Sequence, residues 1–370
     1  MRVLVTGGGG FIGSHLTDEL IEQGHEVTIF DNFTPQVHKT EPKYLNQNAK
    51  LIKGDMNNPE ELYSALKDVD AVFNYAAAVG IGQSMYEIAK YTKENMLGTA
   101  QLMDLLVNKE TSVKKVIVAS SMSIYGEGPY KCPECGSLDP KERSIEQMKE
   151  NDWEMRCSSC NAHMDPTPTT EKHPTIPSSV YALSKKMQED LTLQLGKTYG
   201  IPSTALRFFN VYGTRQALSN PYTGVAAIFM SSIKNGNAPL IFEDGLQTRD
   251  FISVKDIVQG SVLALNNNSA NYDFFNLGSG TAIPIKGVAE RLISLMNSKI
   301  TPDIPNQFRS GDVRHCFSDI SKAKDRLGFD PKVSFDQSLK ELILWSGYQE
   351  SEDKVGDAKQ ELKDRNLVHS

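Results

Sequence analysis

A tyrosine and a lysine four residues apart, Tyr181 and Lys185, carry the first chemical signal in this sequence. On a helix this spacing places both side chains on one face. A cation beside a phenol favours the phenolate, so the lysine would lower the pKa of the tyrosine. Bringing that pKa from about 10 to near 7 takes roughly 4 kcal/mol, which an ammonium and a cationic cofactor could supply together. The product would be a general base for a hydroxyl proton, although a lone pair at this spacing is more typical of a solvated helix surface.

Four cysteines form a second chemical pattern, since Cys132 and Cys135 make one Cys-x-x-Cys pair and Cys157 and Cys160 make another. Two such pairs bring four sulfurs to one ion and are typical of a closed tetrahedral zinc site. Iron in a four-thiolate site and a redox-active dithiol are the alternative interpretations. Because four thiolates leave no open position on the metal, we expect a structural role. The fifth cysteine, Cys316, is predicted to be a packed small side chain.

A glycine-rich turn follows the first predicted strand, at 2–6. Gly7, Gly10 and Gly13 have the spacing G-x-x-G-x-x-G, and they lead into an amphipathic helix predicted at 12–22. Missing Cβ atoms allow a tight turn, let the backbone approach a pyrophosphate, and let the helix pack closely on the strand. The helix N-terminus then offers N–H groups and a positive dipole end to the phosphates. The pattern predicts a dinucleotide-binding turn.

A second predicted strand, 26–30, ends at Asp31, about twenty residues beyond the glycine turn. A carboxylate in this place accepts both hydroxyls of an adenosine ribose and repels a 2′-phosphate, so NAD is favoured over NADP. A third strand leads to Asp55, which could accept from the adenine amino group. The alternative for both residues is an ordinary turn aspartate at the end of a strand.

Composition and charge exclude several classes of protein. At 370 residues the chain can bury a large core. The net charge is −7 and no basic run occurs, so we expect no nucleic-acid partner. No apolar stretch approaches the length of a membrane span, so we expect no membrane association. Because the first predicted strand begins at Arg2, with no room for a signal peptide before it, we expect a cytoplasmic location.

Strands and helices alternate through the first half of the chain, which predicts an α/β fold: a doubly wound, parallel, Rossmann-type sheet with helices on both faces. The more fragmented stretches 223–245 and 283–345 predict a smaller mixed α/β substrate lobe, interleaved with the first domain. The predicted strands are 2–6, 26–30, 50–54, 71–76, 115–120, 203–209 and 274–277, and the longest predicted helix lies near 86–108. The chain is predicted to divide into five segments. The first part of the Rossmann domain (1–127) is followed by a zinc-ribbon-like inserted loop with the four cysteines (128–172), and then by the Tyr/Lys helix and following strand of the Rossmann domain (173–215). The substrate lobe (216–348), which returns to the sheet near 251–280, and a charged tail (349–370) complete the chain.

A series of short motifs occurs in a specific order along the chain. They are Thr6–Gly13, Asp31–Asn32, Asn95 with Gly98–Thr99, Ser120–Ser121 before Tyr125–Gly126, Tyr181 with Lys185, Arg207–Gly213 and Arg249–Ile252. Together they resemble the extended short-chain dehydrogenase/reductase family of NAD-dependent nucleotide-sugar epimerases and dehydratases. The resemblance covers the chain apart from the cysteine insertion and the tail. It implies NAD as cofactor, a nucleotide-diphosphate sugar as substrate, and a homodimer formed through helices near 86–108 and 181–197.

The resemblance also implies a role for each matching residue. Tyr181 would take the proton from a sugar hydroxyl, Ser121 would share in its hydrogen bonding, and Lys185 would hold the nicotinamide ribose and lower the pKa of the tyrosine. The residues implied in cofactor binding are Gly7, Gly10, Phe11, Ile12, Gly13, Asp31, Asn32, Asp55, Met56, Ala76, Ala77, Asn95, Tyr181 and Lys185. Those implied in substrate binding are Ser121, Ser123, Asn210, Arg249 and Arg309, the two arginines by bidentate contacts with the diphosphate.

The two residues after Ser121 bear on the type of reaction. In related 4,6-dehydratases an Asp-Glu pair occupies the positions of Met122 and Ser123, and related UDP-glucuronate decarboxylases usually place a glutamate at the Ser123 position. Methionine transfers no proton and serine is a poor acid at neutral pH. We therefore expect an NAD-dependent 4-epimerase, which oxidises the sugar at C4 and returns the hydride to the opposite face. UDP-hexose and dTDP-L-rhamnose substrates fit equally well.

Other functions remain open at this point. An NAD(P)-dependent keto-sugar reductase is the main alternative, and a 4,6-dehydratase or a non-enzymatic NAD-binding sensor is less favoured. The cysteine insertion is a departure from the family, because relatives usually have a far shorter connection between the positions of Ser121 and Tyr181. We expect it to form a rigid flap that shapes substrate access or contacts a neighbouring subunit.

Overall fold

Regular elements extend through the computed structural model, which describes residues 1–38, 40–309 and 311–369. Ser310, beside the predicted phosphate ligand Arg309, lies outside the described residues. The strands are β1 (Arg2–Thr6), β2 (Glu26–Asp31), β3 (Lys50–Lys53), β4 (Ala71–Asn74), β5 (Lys115–Ser121), β6 (Tyr130–Lys131), β7 (Pro140–Lys141), β8 (Arg156–Cys157), β9 (Asp165–Pro166), β10 (Ser203–Phe208), β11 (Asn210–Tyr212), β12 (Thr248–Ser253), β13 (Asp273–Leu277), β14 (Ala282–Pro284), β15 (Phe308–Arg309), β16 (His315–Cys316) and β17 (Val368–His369). The helices are α1 (Phe11–Glu22), α2 (Pro59–Ala65), α3 (Ile81–Ser84), α4 (Ile88–Tyr91), α5 (Gly98–Asn108), α6 (Ile145–Lys149), α7 (Val180–Tyr199), α8 (Val225–Lys234), α9 (Val254–Asn266), α10 (Ile285–Leu295), α11 (Ser321–Leu327), α12 (Phe335–Ser346) and α13 (Val355–Asp364).

Seven parallel strands form the central sheet, in the order β13-β10-β5-β4-β1-β2-β3. One face is covered by α1 and α9, which bury Leu16 and Ile257 in one core cluster. The other face is covered by α2 and α5, which bury Leu62 and Leu102 in a second cluster. Each such side chain stabilises the fold by roughly 1.5–3 kcal/mol. The predicted doubly wound α/β sheet is therefore confirmed.

Helix α7 carries Tyr181 and Lys185, and its ends are set by local sequence. The Ser179 hydroxyl at the N-cap accepts a hydrogen bond from the Ala182 N–H at 3.1 Å. Gly200 closes the helix with a left-handed φ of +69°, which costs a glycine little. The helix packs along β5 and β10 on the face that also holds α5. Among the described residues, no helix is long and apolar enough to cross a membrane.

A second core lies outside the central sheet and confirms the predicted mixed lobe. Strand β12 pairs parallel with β11 and β16 and antiparallel with β14. Helices α8, α10 and α12 pack there and bury Phe229, Leu292 and Leu342. Between these two parts of the lobe the chain returns to the central sheet through α9 and β13.

The helix predicted near 86–108 is present from Ile88 to Asn108, but it is not a regular α-helix throughout. Helix α4 runs directly into a π-helical segment at Thr92–Leu97, which runs directly into α5. The wider π turn carries Asn95, whose fully buried amide bonds to the backbone of Ala78. The helix therefore widens by a π turn where a buried polar side chain holds a neighbouring loop.

The predicted charged tail is more ordered than expected. From Gln349 onward it contains α13 and then β17, which pairs antiparallel with β15. Ala358 and Leu362 are buried, because their four-residue spacing places them on one face of α13. The spacing of these two apolar residues is typical of a helix with one buried face, whereas the high charge of the segment as a whole is typical of a solvated tail.

The glycine turn before α1 tolerates no side chain at Gly13. A Cβ at that residue would lie 2.3 Å from the carbonyl oxygen of Gly7 and 2.8 Å from the Cα of Gly8. We expect Gly13→Ala to lower the free energy of unfolding by about 1–3 kcal/mol, since backbone must move to admit the methyl group. Urea denaturation measures this, with Gly287→Ala in α10 as the control.

At Gly287 the nearest atom to an added Cβ is Cδ of Pro284, at 3.9 Å. The control should therefore be neutral or gain up to about 1 kcal/mol from helix propensity. Equal stabilities for the two variants would contradict the close approach at Gly13.

Candidate active site

The glycine turn lies at the carboxyl ends of the central strands. Gly7 has a φ of +66°, and a Cβ there would come within 2.8 Å of the Cα of Ala76. The turn therefore packs closely against the loop that follows β4. Gly10 is the N-cap of α1 and offers no side-chain cap, and no acidic residue stands in the first helical turn. The N–H groups of Phe11 and Ile12 therefore have no helical acceptor and can receive an anion.

Carboxylates stand at the ends of β2 and β3, beside the turn. Asp31 accepts a hydrogen bond from the Gly9 N–H at 3.0 Å and another from the Phe33 N–H at 2.8 Å. A carboxylate has about four lone-pair sites, so Asp31 can also accept ribose hydroxyls. Asp55 accepts from the Asn57 N–H at 2.8 Å. The structure thus brings the predicted adenosine ligands Asp31 and Asp55 to one edge of the sheet.

Two further predicted cofactor ligands, Asn32 and Met56, lie close to the same edge. The Asn32 amide oxygen accepts from the Thr34 N–H at 3.1 Å, and it continues the turn begun by Asp31. Met56 is buried, and its Cβ would be 3.1 Å from a Cβ added at Gly98. Met56 therefore fills the space between the β3 end and the start of α5.

Asn95 fixes the loop after β4 against α7. Its Oδ1 accepts from the Ala78 N–H at 2.7 Å, and its Nδ2 donates to the Ala78 carbonyl at 3.0 Å and to the Ser184 hydroxyl at 2.8 Å. The same loop contains Ala76 and Ala77, and the Ala76 N–H donates to Thr6 at 3.2 Å. Thus one buried amide ties the predicted cofactor loop to the helix that carries the tyrosine.

Ser121, Ser123 and Tyr181 meet where β5 ends. The Ser123 hydroxyl donates to the Ser121 hydroxyl at 2.9 Å, and the Ser123 N–H donates to the same oxygen at 3.1 Å. Burial raises the pKa of the Tyr181 phenol to about 12, and a hydrogen bond with Ser121 opposes that rise. Ser121 therefore opposes the effect of burial on the pKa of Tyr181, which is the direction that a proton acceptor requires.

Lys185 lies in the same buried region, but its effect differs from the one expected. Its Nζ donates to the Ala119 carbonyl at 3.0 Å. Loss of solvent lowers the pKa of Lys185 to about 7, and burial likewise favours the neutral form of Tyr181. An ammonium has three donors, so Lys185 can hold a second acceptor such as a ribose hydroxyl.

The predicted substrate ligands converge from the smaller lobe. Arg309 donates to Asp312 from Nε at 3.0 Å and from Nη2 at 2.7 Å. Arg249 makes an ion pair with the same carboxylate at 3.5 Å. The buried Oδ1 of Asn210 has no hydrogen-bond partner among the described residues, which is costly unless a ligand supplies one. Phe242 lies under the Arg309 guanidinium, 4.7 Å from it.

A cavity opens between the Arg309–Asp312 ion pair and the start of α7. Its walls include Ile81 and Met85, Ser178 and Ser179, and the Arg309–Asp312 stretch on either side of residue 310. Leu362 and Leu367 of the tail complete it. These wall residues were not predicted from the sequence. The signal that could have identified Ser178 and Ser179 is their position directly before the helix that carries Tyr181.

The four cysteines come together as predicted. Their sulfur atoms all lie within 4.8 Å of one another, and the Cys132–Cys160 and Cys135–Cys157 pairs are each 3.5 Å apart. A tetrahedron with Zn–S distances of about 2.3 Å has sulfur–sulfur edges of about 3.8 Å. The geometry of the thiols therefore fits a four-sulfur metal site. His163 lies outside this group, with its Nε2 3.3 Å from Asp152.

The buried Lys185 should make stability depend on pH. Its folded pKa of about 7 is below the ordinary 10.5, so between these values the unfolded chain binds more protons. Without dinucleotide, the stability of the wild type relative to Lys185→Met should therefore rise from pH 7 toward 10.5, by up to about 1.4 kcal/mol per unit.

Urea denaturation of both proteins at pH 6.5, 7.5, 8.5 and 9.5 measures this difference. Burial also lowers the pKa of Lys115, to about 8, but Lys115 is common to both proteins and cancels. A difference that stays constant across this range would show that Lys185 keeps its ordinary pKa in the fold.

Comparison with known proteins places the chain among similar sequences along most of its length. Residues 3–148 match the NAD dependent epimerase/dehydratase family, and residues 161–342 match the GDP-mannose 4,6 dehydratase family. The chain is 31% identical over 348 residues to a dTDP-L-rhamnose 4-epimerase from Burkholderia thailandensis, covering 93% of this chain and 94% of that protein. It is 30% identical over 361 residues to a UDP-N-acetyl-alpha-D-glucosaminuronate decarboxylase from Bacillus cytotoxicus, covering 93% and 97%.

A solved structure shares the fold and holds the dinucleotide. The UDP-glucose 4-epimerase of Thermus thermophilus, in complex with NAD, matches with a TM-score of 0.74 and 26% identity, over 95% of this chain and 100% of that chain.

Proposed function

Because this chain belongs to the family of NAD-dependent nucleotide-sugar epimerases and dehydratases, we propose that it is an NAD-dependent nucleotide-sugar 4-epimerase. One observation carries the proposal: the cavity bounded on one side by the Arg309–Asp312 ion pair is bounded on the other by Ser178 and Ser179, at the start of the helix that carries Tyr181 and Lys185. A cation for a diphosphate thus lies across a cavity from the start of the helix that holds the proposed proton acceptor. The substrate is a UDP-hexose or a dTDP-L-rhamnose type of sugar.

Tyr181 takes the proton of the sugar C4 hydroxyl and later gives it back. Bound NAD would supply the acceptor, and then the donor, of the hydride at C4. Ser121 steadies the developing phenolate, since its hydrogen bond already lowers the pKa of Tyr181 against the effect of burial. Lys185 binds the nicotinamide ribose, and the buried site keeps water from the reacting carbon.

The dinucleotide is held by the predicted set of residues around the glycine turn. Gly7 and Gly13 allow the close backbone packing of the turn, Gly10 leaves the helix start without a side chain, and the uncapped start of α1 binds the pyrophosphate. Asp31 accepts the adenosine ribose hydroxyls. Asn95 acts indirectly, by fixing the loop of Ala76 and Ala77.

The residues beside Ser121 favour epimerisation over elimination or decarboxylation. Met122 is buried and aprotic, and the hydroxyl of Ser123 is engaged with Ser121. Neither supplies the additional acid that loss of water from the sugar requires. Oxidation and return of the hydride need only the Ser121, Tyr181 and Lys185 set.

We further propose that the four cysteines bind structural zinc, and that the chain functions as a homodimer in the cytoplasm. The sulfur geometry supports zinc, and thiolate sites persist in reducing compartments. Exposed Ile88, Leu97 and Leu183 lie on the helices expected at the dimer interface.

The divisions 1–127, 128–172, 173–215, 216–348 and 349–370 are retained as the proposed domain organisation.

A product assay without added cofactor tests the reaction. UDP-glucose, UDP-N-acetylglucosamine, UDP-glucuronate and dTDP-L-rhamnose are each incubated with the purified protein, and the products are identified by NMR. We expect one of these sugars to reach an equilibrium with its C4 epimer with no net change in NAD. Conversion that consumes NADH or NADPH one for one would identify a reductase instead.

Tyr181→Phe should keep the fold and the bound NAD but lower turnover by about 10²- to 10⁴-fold, because the proton acceptor is lost. Tyr199→Phe is the matched control, since Tyr199 stands on the same helix and is exposed. NAD content, circular dichroism and turnover are measured for both variants. Near-normal turnover of Tyr181→Phe would refute the proton-transfer role.

Cys132→Ser and Cys157→Ser should each lose most of the bound zinc, because a three-sulfur site binds the ion less tightly. Metal content per chain is measured by mass spectrometry, and Cys316→Ser is the control because Cys316 lies outside the cluster. Iron in place of zinc would correct the identity of the metal, and wild-type protein without metal would contradict the proposal.

A further inference from the structure

A fully buried arginine joins the cysteine insertion to the smaller lobe. Arg314 has no solvent exposure. Its Nε donates to Glu154 of the insertion at 3.1 Å, and its Nη1 donates to Glu243 at 2.8 Å and to Asp244 at 2.7 Å in the lobe. Glu154 also accepts from His315 at 3.1 Å. Carboxylates from two parts of the chain therefore share one buried cation.

A second arginine also joins the insertion to the smaller lobe, but this one belongs to the insertion and its partners belong to the lobe. Arg143 belongs to the insertion, and its Nη1 donates to Glu243 of the lobe at 2.9 Å. Its Nη2 donates to the backbone carbonyl of Asp312 at 2.8 Å. The side chains of Arg143 and Glu243 are 5% and 2% exposed, so this pair is screened little by solvent. We call Arg143, Glu154, Glu243, Asp244 and Arg314 the bridging cluster.

The bridging cluster holds the backbone that shapes the two predicted diphosphate ligands. Arg249 donates from Nη1 to the carbonyl of Arg314 at 3.1 Å. Arg309 and Arg249 both pair with the carboxylate of Asp312, whose carbonyl Arg143 holds. A shift of residues 312–314 would therefore move both guanidinium groups.

Cys157 lies on the hairpin that the two insertion side chains of the cluster flank. Strand β7 pairs with β8, and Pro140 stands opposite Cys157. Arg143 follows the first of these strands by two residues, and Glu154 precedes the second by two. A metal bound through Cys157 would fix this hairpin and, with it, the directions of Arg143 and Glu154.

We propose that the cysteine insertion is a positioning element for the substrate diphosphate: through the bridging cluster it holds Arg249 and Arg309 in the geometry that binds a nucleoside diphosphate. Arg143 and Glu154 are positioning residues that act through these two arginines. The inference rests on the proposed function for the identity of the ligand. Tyr181 and Lys185 lie on α7, outside this cluster, so the chemical step and NAD binding are independent of it.

Glu154→Gln is the principal test, since it removes one carboxylate charge of the bridging cluster and keeps the shape of the side chain. Isothermal titration with UDP and with dTDP measures diphosphate binding without any turnover. We expect affinity to fall about tenfold and KM for the sugar nucleotide to rise equally, with kcat and bound NAD unchanged within twofold. Glu150→Gln is the matched control, because Glu150 is exposed on the same insertion, and it should behave as wild type.

Two further measurements guard against a variant that fails to fold. Arg143→Lys should retain part of the affinity that Arg143→Ala loses, since lysine keeps the charge but lacks the two-pronged contact. A chelator added to the wild-type holoenzyme should weaken UDP and dTDP binding by a similar factor, and uridine binding should not change. This last measurement requires no substitution.

The outcomes separate this inference from the proposed function. Folded Glu154→Gln with wild-type diphosphate affinity, or a fall in kcat with unchanged KM, overturns the positioning role. Wild-type protein that binds UDP or dTDP but epimerises no sugar refutes the proposed function and leaves the binding comparison valid. Wild-type protein that binds neither nucleotide overturns the inference directly.

Discussion

Parallel pairing of the central strands is the constraint on which this site depends. In such a sheet every strand ends at the same edge, so residues far apart in sequence are delivered to one crevice. The Gly7 turn follows β1, Asp31 ends β2, and Ser121 ends β5. Helix α7 then lies along β5 and adds Tyr181 and Lys185 from the side. The chemistry is thus assembled by topology before any single contact is considered.

Desolvation is the dominant electrostatic effect within that crevice. It raises the pKa of Tyr181 and lowers that of Lys185, so each group is held toward its neutral form. Burial of this kind makes the tyrosine a stronger base once it is deprotonated, and it makes both groups sensitive to any charge placed beside them. In the proposed proton transfer, the charge of the bound cofactor therefore helps to set the pKa of Tyr181. The cofactor also supplies the hydride chemistry.

Buried charge is used differently in the smaller lobe. Around Arg314, carboxylates from two segments satisfy one guanidinium, an arrangement that contributes little net stability but is costly to disrupt. Such a network resists small displacements, which suits a part of the protein that must hold two arginines at a fixed separation. The cysteine insertion docks on this lobe through Arg143 and Glu154.

The sequence by itself determined what local spacing can encode: the strand–turn–helix around Gly7, the paired cysteines, and the Tyr181–Lys185 face of one helix. These depend on residues close in the chain, whose geometry follows from backbone periodicity. Only the tertiary structure decided the π turn of the helix at Asn95 and the burial of Arg314. Both result from partners many residues away, because a buried polar group takes its position from whichever distant donor or acceptor satisfies it.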